Sequence, residues 1–184
     1  MKKITIIICL LVSTISLSAQ DLYKATDGEI SFFSEAPVEN ISAVNKDVKA
    51  LINAKNAEVA FIVTNVGFKF EKPLMEEHFN ENYMESHKYK VSVFKGKIVD
   101  EVDFTKDGTY EVTAKGTLDI HGVTVEREIK GTLTISNGKI NLTTEFDVAL
   151  KDHKIKIPSV VVKNIAEVVK VTVMYFIKVR IILN

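Results

Sequence analysis

Apolar side chains recur at every second residue along most of this chain, and that period belongs to strands. Tyr110, Val112, Ala114, Gly116, Leu118 and Ile120 fall on one face. Glu111, Thr113, Lys115, Thr117 and Asp119 fall between them on the other. Ile140, Leu142, Phe146, Val148 and Leu150 repeat the pattern, broken only at Thr144. The C-terminal segment does the same through Val169, Val171, Val173, Tyr175, Ile177, Val179 and Ile181. Its mean hydropathy suits a membrane helix. The charges at Lys170, Lys178 and Arg180 make a span costly, at roughly 2.5–3.5 kcal/mol each near a bilayer centre. Period two and β-branched residues make this segment a long strand.

Turn chemistry divides the alternating runs. Asp107-Gly108, His121-Gly122 and Asn137-Gly138 each sit between two of them, and glycine supplies the positive φ of tight hairpins. The spacing predicts a meander of strands over residues 91–99, 109–120, 123–135 and 139–150, with a last strand over 169–181. Earlier strands are predicted over 29–34, 46–52 and 58–66, with Asn53-Ala54-Lys55-Asn56 as a turn. Residues 73–86 differ. Pro73 suits a first helical turn, and Leu74, Met75, His78, Phe79, Asn82 and Tyr83 recur at helical spacing. The fold class is therefore all-β: one extended antiparallel barrel of about eight strands with one short helix. Closure removes the sheet edges that invite aggregation.

Residues 1–19 read as a signal peptide, and 20–184 as a single domain. Lys2 and Lys3 precede an apolar run from Ile4 to Leu17, and Ser18-Ala19 offers a small-residue cleavage site. The run is shorter than the roughly 20 residues of a membrane span, so no span is expected in the mature chain. Cys9, the one cysteine, lies inside this segment, so the mature chain has no disulfide, thiolate nucleophile or cysteine metal site. Without Lys2 and Lys3, the 24 basic residues become 22 against 24 acidic ones. That balance gives no basic surface for nucleic acid.

Catalytic signals are absent from the sequence. It has no Gly-x-Ser-x-Gly, no phosphate-cradling glycine loop and no His-Glu-x-x-His. Glu77, His78, Glu81, Glu85 and His87 could offer carboxylate and imidazole to a metal, but Glu77 and His78 point about 100° apart on a helix. A solvated helix face is the simpler reading, and no metal site is assigned. His121 reads as a turn residue bonded to backbone. Phe61, Val63, Phe68, Phe70, Leu74, Met75, Phe79 and Phe94 gather around the helix and its flanking strands. From the residues alone, this set is either a packed core or a cavity wall.

Leu74-Met75-Glu76-Glu77-His78-Phe79-Asn80-Glu81-Asn82-Tyr83-Met84-Glu85-Ser86 resembles a signature of one branch of the YceI-like family. Phe94-Lys95-Gly96-Lys97-Ile98, Gly116 through Thr124, and Leu150 through Pro158 resemble further family segments in the same order. The resemblance implies a lipocalin-like barrel that holds a long isoprenoid lipid inside. The family's Asp-x-x-His-Ser pattern is not kept, since Asp27-Gly28-Glu29-Ile30-Ser31 has no histidine. The resulting expectation is an exported, periplasmic or secreted carrier, not an enzyme. Its ligand would be a small apolar lipid, such as a polyprenyl or quinone-like molecule, with no further cofactor. Phe61, Phe68, Phe70, Leu74, Phe79 and Phe94 would line the cavity, with Tyr83 near its mouth. The competing expectations are a packed structural or partner-binding barrel, and a metal-dependent or hydrolytic enzyme.

Export has a direct test. Mass spectrometry of protein recovered from an export-competent host should find Gln20, or Asp21 if the site slips, at the N-terminus. An intact Met1 would overturn the signal peptide.

Overall fold

The computed structural model describes residues 22–159 and 164–179. The proposed signal peptide, Arg180 and Ile181 lie outside the described residues, as do the side chains of Lys178 and Val179. Among the described residues, ten strands form one antiparallel sheet: β1 (Leu22–Ser34), β2 (Ile41–Asn45), β3 (Val48–Asn53), β4 (Glu58–Thr64), β5 (Phe68–Phe70), β6 (Val91–Ile98), β7 (Gly108–Ile120), β8 (Val123–Ser136), β9 (Lys139–Ala149) and β10 (Val168–Val179). The sheet curls until β1 pairs with β10, with Ile30 opposite Val173 and Phe32 opposite Val171. No described helix is long and apolar enough to cross a membrane.

Ten strands, rather than about eight, arise because two barrel staves are interrupted. β2 and β3 lie end to end along β1 in one continuous register, with Ile30 opposite Asn45 and Ala25 opposite Ala50. Between them Asn45, fully buried, accepts the Asp47 amide at 2.8 Å and donates to the Thr64 carbonyl at 2.8 Å. β4 and β5 are parted by a short 3₁₀ turn at Asn65–Gly67. Buried Asn65 donates to the Tyr89 carbonyl at 2.7 Å and accepts from the Ser92 hydroxyl at 2.8 Å. Each amide supplies hydrogen bonds where the ladder stops, as buried backbone requires. Sequence alternation alone did not reveal β2, β5 or the first half of β1.

The turns divide in the same way. His121-Gly122 and Asn137-Gly138 have positive φ at both residues and make two-residue hairpins. Asp107-Gly108 does not. β6 and β7 are joined by a longer connection over residues 99–107, and the Asp107 carboxylate accepts the Asn137 amide at 3.1 Å. The turn after β3 is built on side chains, because Asn53 and Asn56 accept the amides of Lys55 and Glu58.

The predicted helix is α1 (Pro73–His78), which continues as a π-helical turn at Phe79–Tyr83. Met84 accordingly donates its amide to the Phe79 carbonyl at 2.8 Å. Glu76 ties α1 to the sheet by accepting from the Lys69 ammonium and, at 3.4 Å, from the Phe70 amide.

The register of β10 has a sharp test. Val173 is 6% exposed and faces inward, while Thr172 and Met174 face out. Val173→Lys should lower unfolding stability by about 3 kcal/mol or more, because it buries an unpaired charge. Thr172→Lys should change it by less than about 0.5 kcal/mol. Equal effects in thermal and denaturant melts would show the register to be wrong.

Candidate functional site

The inward face does not pack evenly along the barrel. At the end farther from α1 the core is tight: Tyr175, Leu133, Ile140 and Ile177 are at most 1% exposed. The 99–107 connection closes that end. Phe104 packs into the core, the Tyr23 and Phe104 rings lie 6.0 Å apart, and Tyr110 donates to the Asp103 and Lys106 carbonyls. At the end nearer α1 the side chains leave an apolar cavity of about 380 Å³. Ile30 and Phe32 of β1, Phe61 of β4, Phe94 of β6, Leu142 and Phe146 of β9, and Val171 and Val173 of β10 all contribute to its wall. Three of the polar side chains in the wall are engaged within the protein. Ser92 donates to Asn65, Thr144 donates to the Lys130 carbonyl, and Ser34 accepts the Ala166 amide.

Four phenylalanines make the upper wall. Phe79 lies 5.1 Å from Phe70, 5.4 Å from Phe68 and 5.7 Å from Phe32, between ring centroids. Phe32 in turn meets Phe68 at 5.4 Å and Phe70 at 5.8 Å. Each such pair contributes about 0.5–1.5 kcal/mol beyond its area. The cluster joins β1, β5 and the π turn. Phe79 and Tyr83 follow Met75 at four-residue spacing, which keeps all three on one face of the helix, toward the cavity.

Of the residues singled out from sequence, Phe61, Phe68, Phe70, Phe79, Tyr83 and Phe94 lie in the cavity wall. Leu74 does not. It is 60% exposed on the outer side of α1, and Met75, about 100° round the helix, takes the inward position. Phe32 was missed. Alternation within residues 29–34 carries its signal, because Ile30 and Phe32 share a face while Phe33 points out. Val171, Val173 and Phe146 were readable as inward by period, but only closure brings them to the same space.

Glu85 departs from the solvated-face reading. His121 Nε2 lies 2.8 Å from its carboxylate, and His121 Nδ1 lies 3.2 Å from the His153 carbonyl. The Tyr89 ring meets the His121 ring at a tilt, with centroids 4.3 Å apart. Buried His153 donates from Nδ1 to the Val123 carbonyl at 3.0 Å. These contacts latch the segment after the π turn to the β7–β8 hairpin. Among the described residues, no cluster of three or more histidine, cysteine or carboxylate side chains could hold a metal. At the mouth, burial pushes the Tyr83 phenol up from its usual pKa, and Glu39 pairs with Lys72 at the rim.

A closed antiparallel barrel with an apolar, helix-covered hollow defines the class of small-molecule binding barrels. The model of the YceI-like domain matches residues 13–175, and the chain belongs to that family. A polyisoprenoid-binding domain from Saccharophagus degradans, implicated in plant cell wall breakdown, has a similar structure. It shows a TM-score of 0.74 at 15% identity over 88% of this chain and 99% of that one. Burkholderia cenocepacia BcnA follows with 0.69 at 11% identity, over 81% of this chain and 95% of that one. The Campylobacter jejuni YCEI protein gives 0.61 at 15% identity, over 77% and 86%. No curated protein sequence matches the chain.

The latch makes a prediction about acid. The hydrogen bond from His121, helped by nearby positive charge, holds the Glu85 carboxyl below its usual pKa. The stability this adds is present above the ordinary glutamate value of about 4.3 and is lost as pH falls through the lower folded value. Carbon-13 NMR titration should place the Glu85 midpoint below the ordinary value, and His121→Gln should move it back up. An ordinary midpoint in the parent would mean the latch is not formed in solution.

Proposed function

We propose that this protein is an exported carrier that holds an amphiphilic or isoprenoid lipid, quinone-like or polyprenyl, inside its barrel. The observation that carries the reading is the one-ended apolar cavity of about 380 Å³, with a short helix across its mouth. Such a space favours hydrocarbon. At about 0.8 kcal/mol per buried CH₂, ten carbons supply roughly 8 kcal/mol before the costs of association. The family is one of binding domains, and the Saccharophagus relative is a polyisoprenoid-binding domain. Binding rather than catalysis is the function this chemistry suits. The apolar run and Ser18-Ala19 support export to the periplasm or beyond. A fully packed barrel would leave no such hollow.

Solvent extraction of gently purified protein, read by mass spectrometry, should return a stoichiometric lipid. Phe79→Ala removes a wall contact and loosens the helix cover. It should lower lipid per folded protein, at a stability cost below the roughly 3–5 kcal/mol of a fully buried phenylalanine. Glu77→Gln, on the exposed side of α1, should change neither property. A parent that yields no lipid and binds no dye for apolar cavities would replace the carrier reading with a packed barrel.

A further inference from the structure

On β9 and β10 the cavity stops at a definite row, whereas on β3, β4 and β6 its lining runs on to Ile52, Val59 and Ile98. Along β10, Val169, Val171 and Val173 line it, but Tyr175 and Ile177 do not. Along β9 the lining begins at Leu142, which pairs with Tyr175. Its partner on β8, Leu133, is already packed beneath. Tyr175 occupies this boundary in an unusual way. Its cross-strand neighbour on β1 is Gly28, where an added Cβ would lie 2.5 Å from the Tyr175 Cδ1. Only glycine lets the ring lie flat against the backbone there. The ring then runs across β1 toward β3, where its hydroxyl donates to the Lys49 carbonyl at 3.5 Å. It also meets Phe61, a cavity-wall residue, with ring centroids 5.2 Å apart. Burial pushes the phenol well above its usual pKa, as expected of a group closed off from water.

We propose that Tyr175, laid across Gly28 and against Phe61, is the floor that limits how long an apolar chain the cavity accepts. The ligand is then a single-chain amphiphile of bounded length, seated tail down with its polar end at the Tyr83 mouth. The inference rests on the carrier reading and narrows it. The volume of about 380 Å³ sits at the low end of small-molecule cavities and leaves room for one chain. The opposite end is shut by Phe104, so a longer chain has no second exit.

The test is a chain-length series of straight primary alcohols and of the prenols geraniol, farnesol and geranylgeraniol, competed against a cavity dye. For the parent, each methylene that finds room should tighten binding about fourfold, up to a limit beyond which the gain stops. Tyr175→Val opens the row below and should move the limit to longer chains. Ala114→Leu adds volume to the wall and should move it to shorter ones. Folding of each variant is checked by its thermal melt. If Tyr175→Val does not fold, Ala114→Leu decides, and an unchanged limit there overturns the floor. Affinity that climbs through the whole series in the parent also overturns it, as does a folded Tyr175→Val with the parent's limit; in both cases the carrier reading stands. A parent that binds no member of the series overturns both.

Discussion

The pairing of β1 with β10 is the constraint on which the rest depends. It joins the first and last described strands, so the sheet has an inside. Every alternating segment then has one face turned toward a shared, water-poor space, and the hydrophobic effect acts on all of them together. Closure also sets the arrangement around Tyr175. Gly28 on β1 makes room for a ring that belongs to β10, and neither residue has that role until the two strands meet. Such pairing between distant parts of the chain is slow to form and cannot be satisfied locally.

A barrel that closed perfectly would have no reason to hold a helix. Here two staves break at one end, and the buried amides of Asn45 and Asn65 make the breaks possible. Burying an amide without partners costs on the order of a few kcal/mol, so each break is tolerated only because the side chain bonds the backbone around it. β5 then veers away from β6, and α1 with its π turn crosses the gap. Phe79 closes the aromatic cluster from above, while the Glu85–His121 contact holds the far end of the segment to the β7–β8 hairpin. The mouth of the cavity is thus made by polar interruptions in the wall, and its depth by an aromatic ring inside.

The two ends of the barrel differ by side-chain size, not by strand pattern. Toward the closed end, Tyr175, Leu133, Ile135 and Ile140 belong to the same buried core as Phe104, which comes from a connection with no regular structure. Around the cavity, valines on β10 and Ala114 and Gly131 on β7 and β8 fill less of the interior. Interiors normally pack to crystal-like density, so a hollow left by small inward residues is a feature for a ligand to complete. The same alternation therefore serves both a packed core and a binding space.

Period two, turn glycines and the helix signature by themselves point to an all-β barrel, its long strands and most of its aromatic wall. These are local properties, because alternation and positive φ act over two to four residues. Leu74 and Phe32 show where that reading ended. Which of two adjacent helical residues faces in depends on how α1 is set against the sheet, and which strands share a hollow depends on closure. Residue type made Phe61, Phe68 and Phe79 apolar. Only the tertiary structure decided that they surround a space rather than fill it, because a cavity is a property of volumes meeting across the barrel.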